Sequence, residues 1–388
     1  MENHDIIERL LLRDLTRLCF QIFQQMDSKT FANSRLVCQI WRTFIDHQFF
    51  ELPKGKQCLQ EKITSNYLNK NYAPRIETVV CETSLFDIQT DDKGICVSTT
   101  NGSVSNFELC GKMKLLWQIQ LCDESIQLCM NKEKVFVVTS NAIGHIFIIN
   151  RTDGKLLQTH LNAHSYSIYG VRVFQDRILA TAGSRGTIKF FSIHDVDENS
   201  ITLMREETIY RRNGFTHLDN DGDKLVSGSV SGDVMAWDFR TGTKIREICS
   251  KQRIMSLNVR WPLVVTCTID RSNDDEMKGI KLFDMEKKVL VRHIKCCCDY
   301  ATNVRIHGQI LMVCEDDFAF SDNQSKRTAL RFWNLNQLLN ADIKIENVSN
   351  RTIRTFPKPS NGLQICSISG SAVITTEGNQ FRKRSFWP

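Results

Sequence analysis

Hydrophobic positions change period along this chain. From Leu15 to Ile45 they recur at three- and four-residue steps: Leu15, Leu18, Cys19, Ile22, Phe23 and Met26, then Val37, Cys38, Trp41, Phe44 and Ile45. That spacing puts them on one helical face and predicts two amphipathic helices with a break at Asp27-Ser28. So short a segment cannot bury that much apolar surface alone. The face must dock on another polypeptide, or pack back onto the linker or the rest of the chain. A polar bridge runs from about Glu51 to Ala73. Beyond it the pattern is strand-like to the end.

The strand region repeats itself. Ile178 to Phe191 (ILATAGSRGTIKFF) and Leu225 to Asp238 (LVSGSVSGDVMAWD) share one plan: an apolar strand, a small-residue turn ending in Gly, and a second strand closing on an aromatic. Further copies begin at Ile95, Val137 and Leu263, with fainter ones at Ile310 and Val373. Seven units at a period of roughly 40 to 50 residues are the mark of propeller blades. A four-stranded blade has two apolar faces, so neighbours must stack and the ring must close. The last unit shows three strands, and Arg75–Val80, just before the first unit, can supply the fourth.

This region resembles WD-repeat propellers. Trp237-Asp238 is the intact Trp-Asp pair, Phe283-Asp284 and Trp333-Asn334 are relaxed forms, and Ala163-His164 stands where Gly-His opens a repeat. The turn Asp of the family is replaced by Asn101, Ile143, Arg185 and Ser231 in the first four units. The helical segment resembles the F-box, through Ile22-Phe23-Gln24-Gln25-Met26-Asp27 and Val37-Cys38-Gln39-Ile40-Trp41-Arg42. Asp14-Leu15 stand where that motif normally opens with Leu-Pro. The order of the two is similar to the F-box/WD-repeat receptors of SCF-type cullin-RING ubiquitin ligases. The expected fold is thus a small all-α F-box followed by an all-β seven-bladed WD-repeat propeller. Its expected division is a tail over 1–9, the F-box over 10–50, a partly helical linker over 51–73, and a propeller over 74–388 closed by the strand 75–80.

Composition adds little and excludes some classes. The chain has 388 residues, 41% hydrophobic and 24% charged, which suits a globular protein. It has neither a long apolar run nor the basic-then-apolar start of a signal peptide, so a cytoplasmic or nuclear location is expected and a membrane is not. Its fifteen cysteines are scattered. Only Cys296-Cys297-Cys298, with His293 nearby, are dense, and they lack the Cys-x-x-Cys spacing of a zinc site. No metal or cofactor is expected. The net charge of +6 is modest and its basic pairs are interrupted by acids, so nucleic acid is not an expected partner.

Phosphate-loop, dinucleotide-binding, metalloprotease and nucleophile-elbow motifs are all missing. The Gly/Ser-rich Ser227–Gly232 joins two strands and reads as a blade turn. His164 reads as a buried hydrogen-bonding residue. No enzyme is expected. The F-box resemblance implies that Leu15, Leu18, Ile22, Phe23, Met26, Val37 and Trp41 dock a Skp-family adaptor, and through it cullin and RING subunits. The propeller would then hold a protein substrate through a short peptide degron. Aligned on their turns, the units place Phe86, Gln127, Tyr169, Thr216, Met255, Thr302 and Gln364 at the start of the innermost strands. The turn position holds Thr100, Ala142, Ser184, Val230 and Ile269. None is basic, so a neutral or hydrophobic peptide is expected rather than a phosphorylated one. A one-residue slip would bring in Arg185, Arg211, Arg212 or Arg253. The competing reading is a propeller scaffold whose F-box is degenerate.

Overall fold

The computed structural model describes residues 16–26, 28–34, 41, 44–45, 61, 65–66, 68 and 75–385, the last span with breaks at 92–93, 109–112, 141–142, 194–200, 209–213, 251, 270–278, 296–299, 317–326, 341, 343, 345–349, 358–365, 370–371 and 378. Among the described residues near the amino end are the helices α1 (Thr16–Gln25) and α2 (Ser28–Ser34). The strand region forms seven four-stranded antiparallel sheets.

Strand β1 (Arg75–Val80) comes first and belongs to the last sheet. Blade 1 holds β2 (Leu85–Thr90), β3 (Gly94–Thr99), β4 (Ser103–Glu108) and β5 (Lys114–Gln120). Blade 2 holds β6 (Ile126–Met130), β7 (Lys134–Thr139), β8 (Gly144–Asn150) and β9 (Leu156–His164). Blade 3 is β10 (Ile168–Phe174), β11 (Ile178–Gly183), β12 (Thr187–Ile193) and β13 (Ile201–Thr208). Blade 4 is β14 (Phe215–Asp221), β15 (Lys224–Ser229), β16 (Asp233–Asp238) and β17 (Lys244–Cys249). Blade 5 contains β18 (Arg253–Arg260), β19 (Leu263–Ile269), β20 (Gly279–Asp284) and β21 (Val289–Ile294). Blade 6 contains β22 (Tyr300–His307), β23 (Ile310–Asp316), β24 (Arg327–Asn334) and β25 (Asn350–Pro357), with the short helix α3 (Leu335–Leu339) between the last two. Blade 7 consists of β26 (Cys366–Ser369), β27 (Ala372–Glu377), β28 (Gln380–Ser385) and β1.

The first strands touch in order, β2 to β6, β10, β14, β18, β22 and β26, and β26 returns to β2. Two links therefore close the ring. One is that return contact, and the other is the antiparallel pairing of β1 with β28, from Arg75 opposite Ser385 to Val80 opposite Gln380. The chain's two ends of the strand region share one sheet. Opening the ring would expose two blade faces at once.

Burial explains the sequence pattern blade by blade. Second and third strands are covered on both faces, so β3 is buried throughout and reads as a continuous run rather than an alternation. Outer strands have one exposed edge and alternate, as β17 does. Cores form between blades. Ala182, Ile188 and Phe190 of blade 3 pack on Leu218, Met235 and Trp237 of blade 4. The Trp-Asp pair has two separable tasks. Trp237 fills that core and donates from Nε1 to Ser227 Oγ at 3.0 Å. Asp238 Oδ1 accepts from the N–H of Arg240 at 2.9 Å and closes the turn to β17. Asp284 repeats the turn with Glu286, and Asn150 with Thr152. In blade 6 the same position caps a helix: Asn334 Oδ1 accepts from Gln337, and α3 lays Leu335 and Leu338 into the core.

Candidate functional site: the rim of the propeller

One end of the ring gathers described loops that enter first strands and described turns between second and third strands. The two sets are tied together. Thr100 donates its N–H to Ser84, Ser184 to Ser167 and Val230 to Gly214. The sequence-aligned rim positions sit here, and their geometry follows a rule the alignment did not contain. In β2 the ladder to the second strand skips Phe86, and in β10, β14, β18 and β22 it skips Tyr169, Thr216, Met255 and Thr302. A skipped residue is a bulge, which twists the strand end and re-aims one side chain. Phe86 and Met255 are half-buried and Tyr169 is exposed. Gln127 differs, because β6 keeps it paired with Val138. Gln364 and Ala142 lie outside the described residues.

Deeper along the same strands runs a polar belt. First strands lie side by side with edge N–H groups unpaired by any ladder, and side chains from the preceding blade take them. Asp87 Oδ2 accepts from Leu128 at 3.0 Å, Asp219 Oδ2 from Val259 at 3.0 Å, and Asn258 Oδ1 from Ile306 at 2.6 Å. Arg172 Nε donates to Asp219 at 3.1 Å. Burial pushes the Asp87 carboxyl above the usual carboxylate range and lowers the Arg305 guanidinium, each opposed by neighbouring opposite charge. The belt is a set of blade-to-blade latches. Its charges answer one another.

A cleft of about 330 Å³ opens at the rim between blades 2 and 3, lined in part by Tyr166, Ser184, Arg185, Thr187, Lys189 and Glu206. His164 forms its floor. It is 3% exposed, its Nε2 lies 2.8 Å from Thr181 Oγ1, and burial pushes its pKa down to about 3. The imidazole is neutral and packed, and among the described residues its hydrogen-bond partner is the Thr181 hydroxyl rather than a cysteine or serine. Arg185, which turn alignment leaves one residue off the rim position, is exposed with its guanidinium 3.5 Å over the Tyr166 ring. The rim is therefore not uncharged.

In the helical segment, Phe23 is fully buried, and its ring meets those of Phe31, Trp41 and Phe44 at 6.0, 5.4 and 5.6 Å. The expected docking face is corrected at this residue: Phe23 turns into the segment's own core. Ile22 beside it is 37% exposed, and Met26 and Trp41 are half-buried. Leu18 lies on α1, while Leu15 and Val37 lie outside the described residues. Among the described residues no helix is long and apolar enough to cross a membrane, and no three His, Cys, Asp or Glu are grouped to hold a metal ion. Cys296, Cys297 and Cys298 lie outside them.

No protein-family model matches the sequence, and no curated protein does. Among solved structures the chain is similar to the computationally designed Ika8 protein, with a TM-score of 0.56 and 14% identity over 79% of this chain and 97% of that one. It is similar also to the Neurospora crassa Pan2 WD40 domain, with a TM-score of 0.57 and 13% identity over 78% of this chain and 89% of that one. At such identity the likeness establishes the fold alone, a seven-bladed WD40-type propeller.

Proposed function

We propose that this chain is the substrate-recognition subunit of an SCF-type ubiquitin ligase. Its helical segment docks a Skp-family adaptor, and its propeller holds a target protein for ubiquitination in the cytoplasm or nucleus. The observation that carries the reading is the 5.4 Å contact between Phe23 and Trp41, which brings together the two halves of the F-box-like motif. Around that contact Ile22 remains open on the neighbouring face. Such a receptor needs no acid or base of its own. Tethering raises the local concentration of a substrate lysine beside the loaded enzyme.

The test is co-purification from cells with the full chain as bait. Wild type should bring down the adaptor and cullin. Ile22→Glu should lose both while keeping the circular dichroism of the folded propeller, since Ile22 is not part of the buried cluster. Failure of the wild type to capture an adaptor overturns the proposal. It favours instead a propeller interaction scaffold with a degenerate F-box, a reading supported by Asp14-Leu15 at the motif's start.

A further inference from the structure

The cleft between blades 2 and 3 has a chemistry of its own. Thr187 and Lys189 on β12 lie directly opposite Thr208 and Glu206 on β13, so one face of the blade presents two hydroxyls and an ion pair at its rim. Lys189 Nζ is 3.1 Å from Glu206, which commits that ammonium. His164 below is bonded to Thr181, and Gly183 makes this packing possible, because a Cβ there would stand 2.7 Å from the imidazole Nδ1. Arg185 is different. It forms no ion pair or hydrogen bond with any described residue, and its guanidinium carbon stands 3.5 Å over the centroid of the Tyr166 ring, a contact that leaves its N–H donors without a hydrogen-bond acceptor among the described residues. The walls carry Ser165, Ser184 and Thr187 as further donors. Ile143, in the blade 2 turn beside the Gly144–His164 pair, is exposed, as are Tyr166 and Tyr169.

We propose that this cleft binds a carboxylate side chain, Asp or Glu, within the segment of target protein that the propeller captures, with an adjoining apolar residue laid against Ile143, Tyr166 and Tyr169. This rests on the reading of the propeller as a receptor and names what that receptor reads. The charge balance of the described lining selects the ligand. Among those residues Lys189 and Glu206 cancel, His164 is neutral, and Arg185 is left to answer one negative charge. A carboxylate is met by one guanidinium edge and flanking hydroxyls. A phosphate carries nearly twice that charge and would meet, among the described lining residues, one uncommitted cation with Glu206 nearby.

The experiment selects random peptides, displayed with their carboxyl ends fused to a carrier, on the purified full chain. Selected peptides should share an Asp or Glu next to an aliphatic or aromatic residue. Synthesised with both ends blocked, such a peptide should lose about tenfold or more in affinity when its acid is changed to the amide. Arg185→Ala should produce the same loss, Arg185→Lys a smaller one, and the amide peptide should no longer distinguish wild type from Arg185→Ala. Arg185 is exposed, so these variants keep the fold, checked by their unfolding midpoints. Selected peptides without a common acid, affinity unmoved by Arg185→Ala, or tighter binding of a phosphoserine peptide would each overturn the proposal. Ile22→Glu separates the two proposals: it should abolish adaptor capture and leave peptide affinity unchanged.

Discussion

Asp219 should be the most costly single side chain to remove from the polar belt. It sits on β14 and joins three consecutive blades. Its Oδ1 accepts from Arg172 Nε of blade 3 at 3.1 Å. Its Oδ2 accepts from Asn258 Nδ2 at 2.5 Å and from the Val259 N–H at 3.0 Å, both in blade 5. Both charged side chains are largely covered, at 14% exposure for Arg172 and 13% for Asp219. Asp219→Ala therefore strands a covered guanidinium and an edge N–H together. Removing one partner of a buried ion pair costs about 3–5 kcal/mol, much of it the penalty of the charge left behind. The orphaned N–H adds about 1–3 kcal/mol where water cannot reach it. The residual Arg172 bond to its neighbour's carbonyl offsets part of this, so about 3–5 kcal/mol is expected in all.

The assay is urea unfolding of the full chain followed by tryptophan fluorescence and circular dichroism, with three variants. Asp219→Asn keeps an acceptor and loses the charge, and should fall between wild type and Asp219→Ala. Asp219→Ala/Arg172→Met removes the stranded charge together with its partner. The double variant should recover about 1–3 kcal/mol relative to the sum of its two single changes. A cost below about 1 kcal/mol for Asp219→Ala would refute the latch, because a solvated surface pair costs no more than that. Strict additivity of the pair would refute it as well.

Other perturbations test other levels of the fold. Gly154 has a φ of +74°, and a Cβ there would stand 2.7 Å from the Trp117 indole, itself fixed by a 2.7 Å bond to the Arg151 carbonyl. Gly154→Ala should thus cost about 2 kcal/mol or more in urea, from left-handed strain and displaced packing together. The His164 pKa of about 3 lies below its ordinary 6.5, so the unfolded chain takes up the proton first. Its contribution is complete above pH 6.5 and is lost as pH falls toward 3, by about 1.4 kcal/mol per unit. Unfolding midpoints of His164→Asn should lose this extra slope between those limits. Burial pushes the Cys96 and Cys129 thiols up to about 12, whereas Cys249 is exposed. Iodoacetamide should label Cys249 in the native protein and reach the other two only on unfolding, as read by peptide mass mapping.

The parts of the propeller legible in sequence are those whose environment leaves little choice. Second strands such as β3, β7 and β15 lie between two blades, so their apolar runs are unbroken and the small-residue turn that follows stands out. The three-strand final unit also announced its remedy, since a propeller cannot leave one blade short and Arg75–Val80 was the strand-like segment at hand. Helix α3 was not legible. Its cap is the same Asn that elsewhere makes a two-residue turn, and five residues are too few for a helical period to show. The helical face shows a related limit: α1 buries Phe23 and leaves Ile22 37% exposed. Neighbours on a helix point about 100° apart, and period alone does not say which turns inward.

The rim shows where sequence alignment and local geometry part company. Aligning blades on their turns assumes that equal counts of residues mean equal directions of side chains. A bulge breaks that equality, since it spends one residue without advancing the ladder. In five first strands the break falls on the aligned position itself, at Phe86, Tyr169, Thr216, Met255 and Thr302. The aligned residues thus share a backbone irregularity that equal counting does not contain. Turn alignment passed over Arg185 for the converse reason: the turn from Ser184 to Gly186 closes on a left-handed glycine at φ +77°, and the residue before that glycine is thrown outward. The same turn in blade 4 has Ser231 before Gly232, at φ +91°, and there the hydroxyl bonds back to Asp233 and is spent on the blade itself. One turn geometry thus yields a strut in blade 4 and an exposed cation in blade 3. That difference, made by a single side chain, is what gives one sector of an otherwise repetitive rim a chemistry with which to discriminate partners.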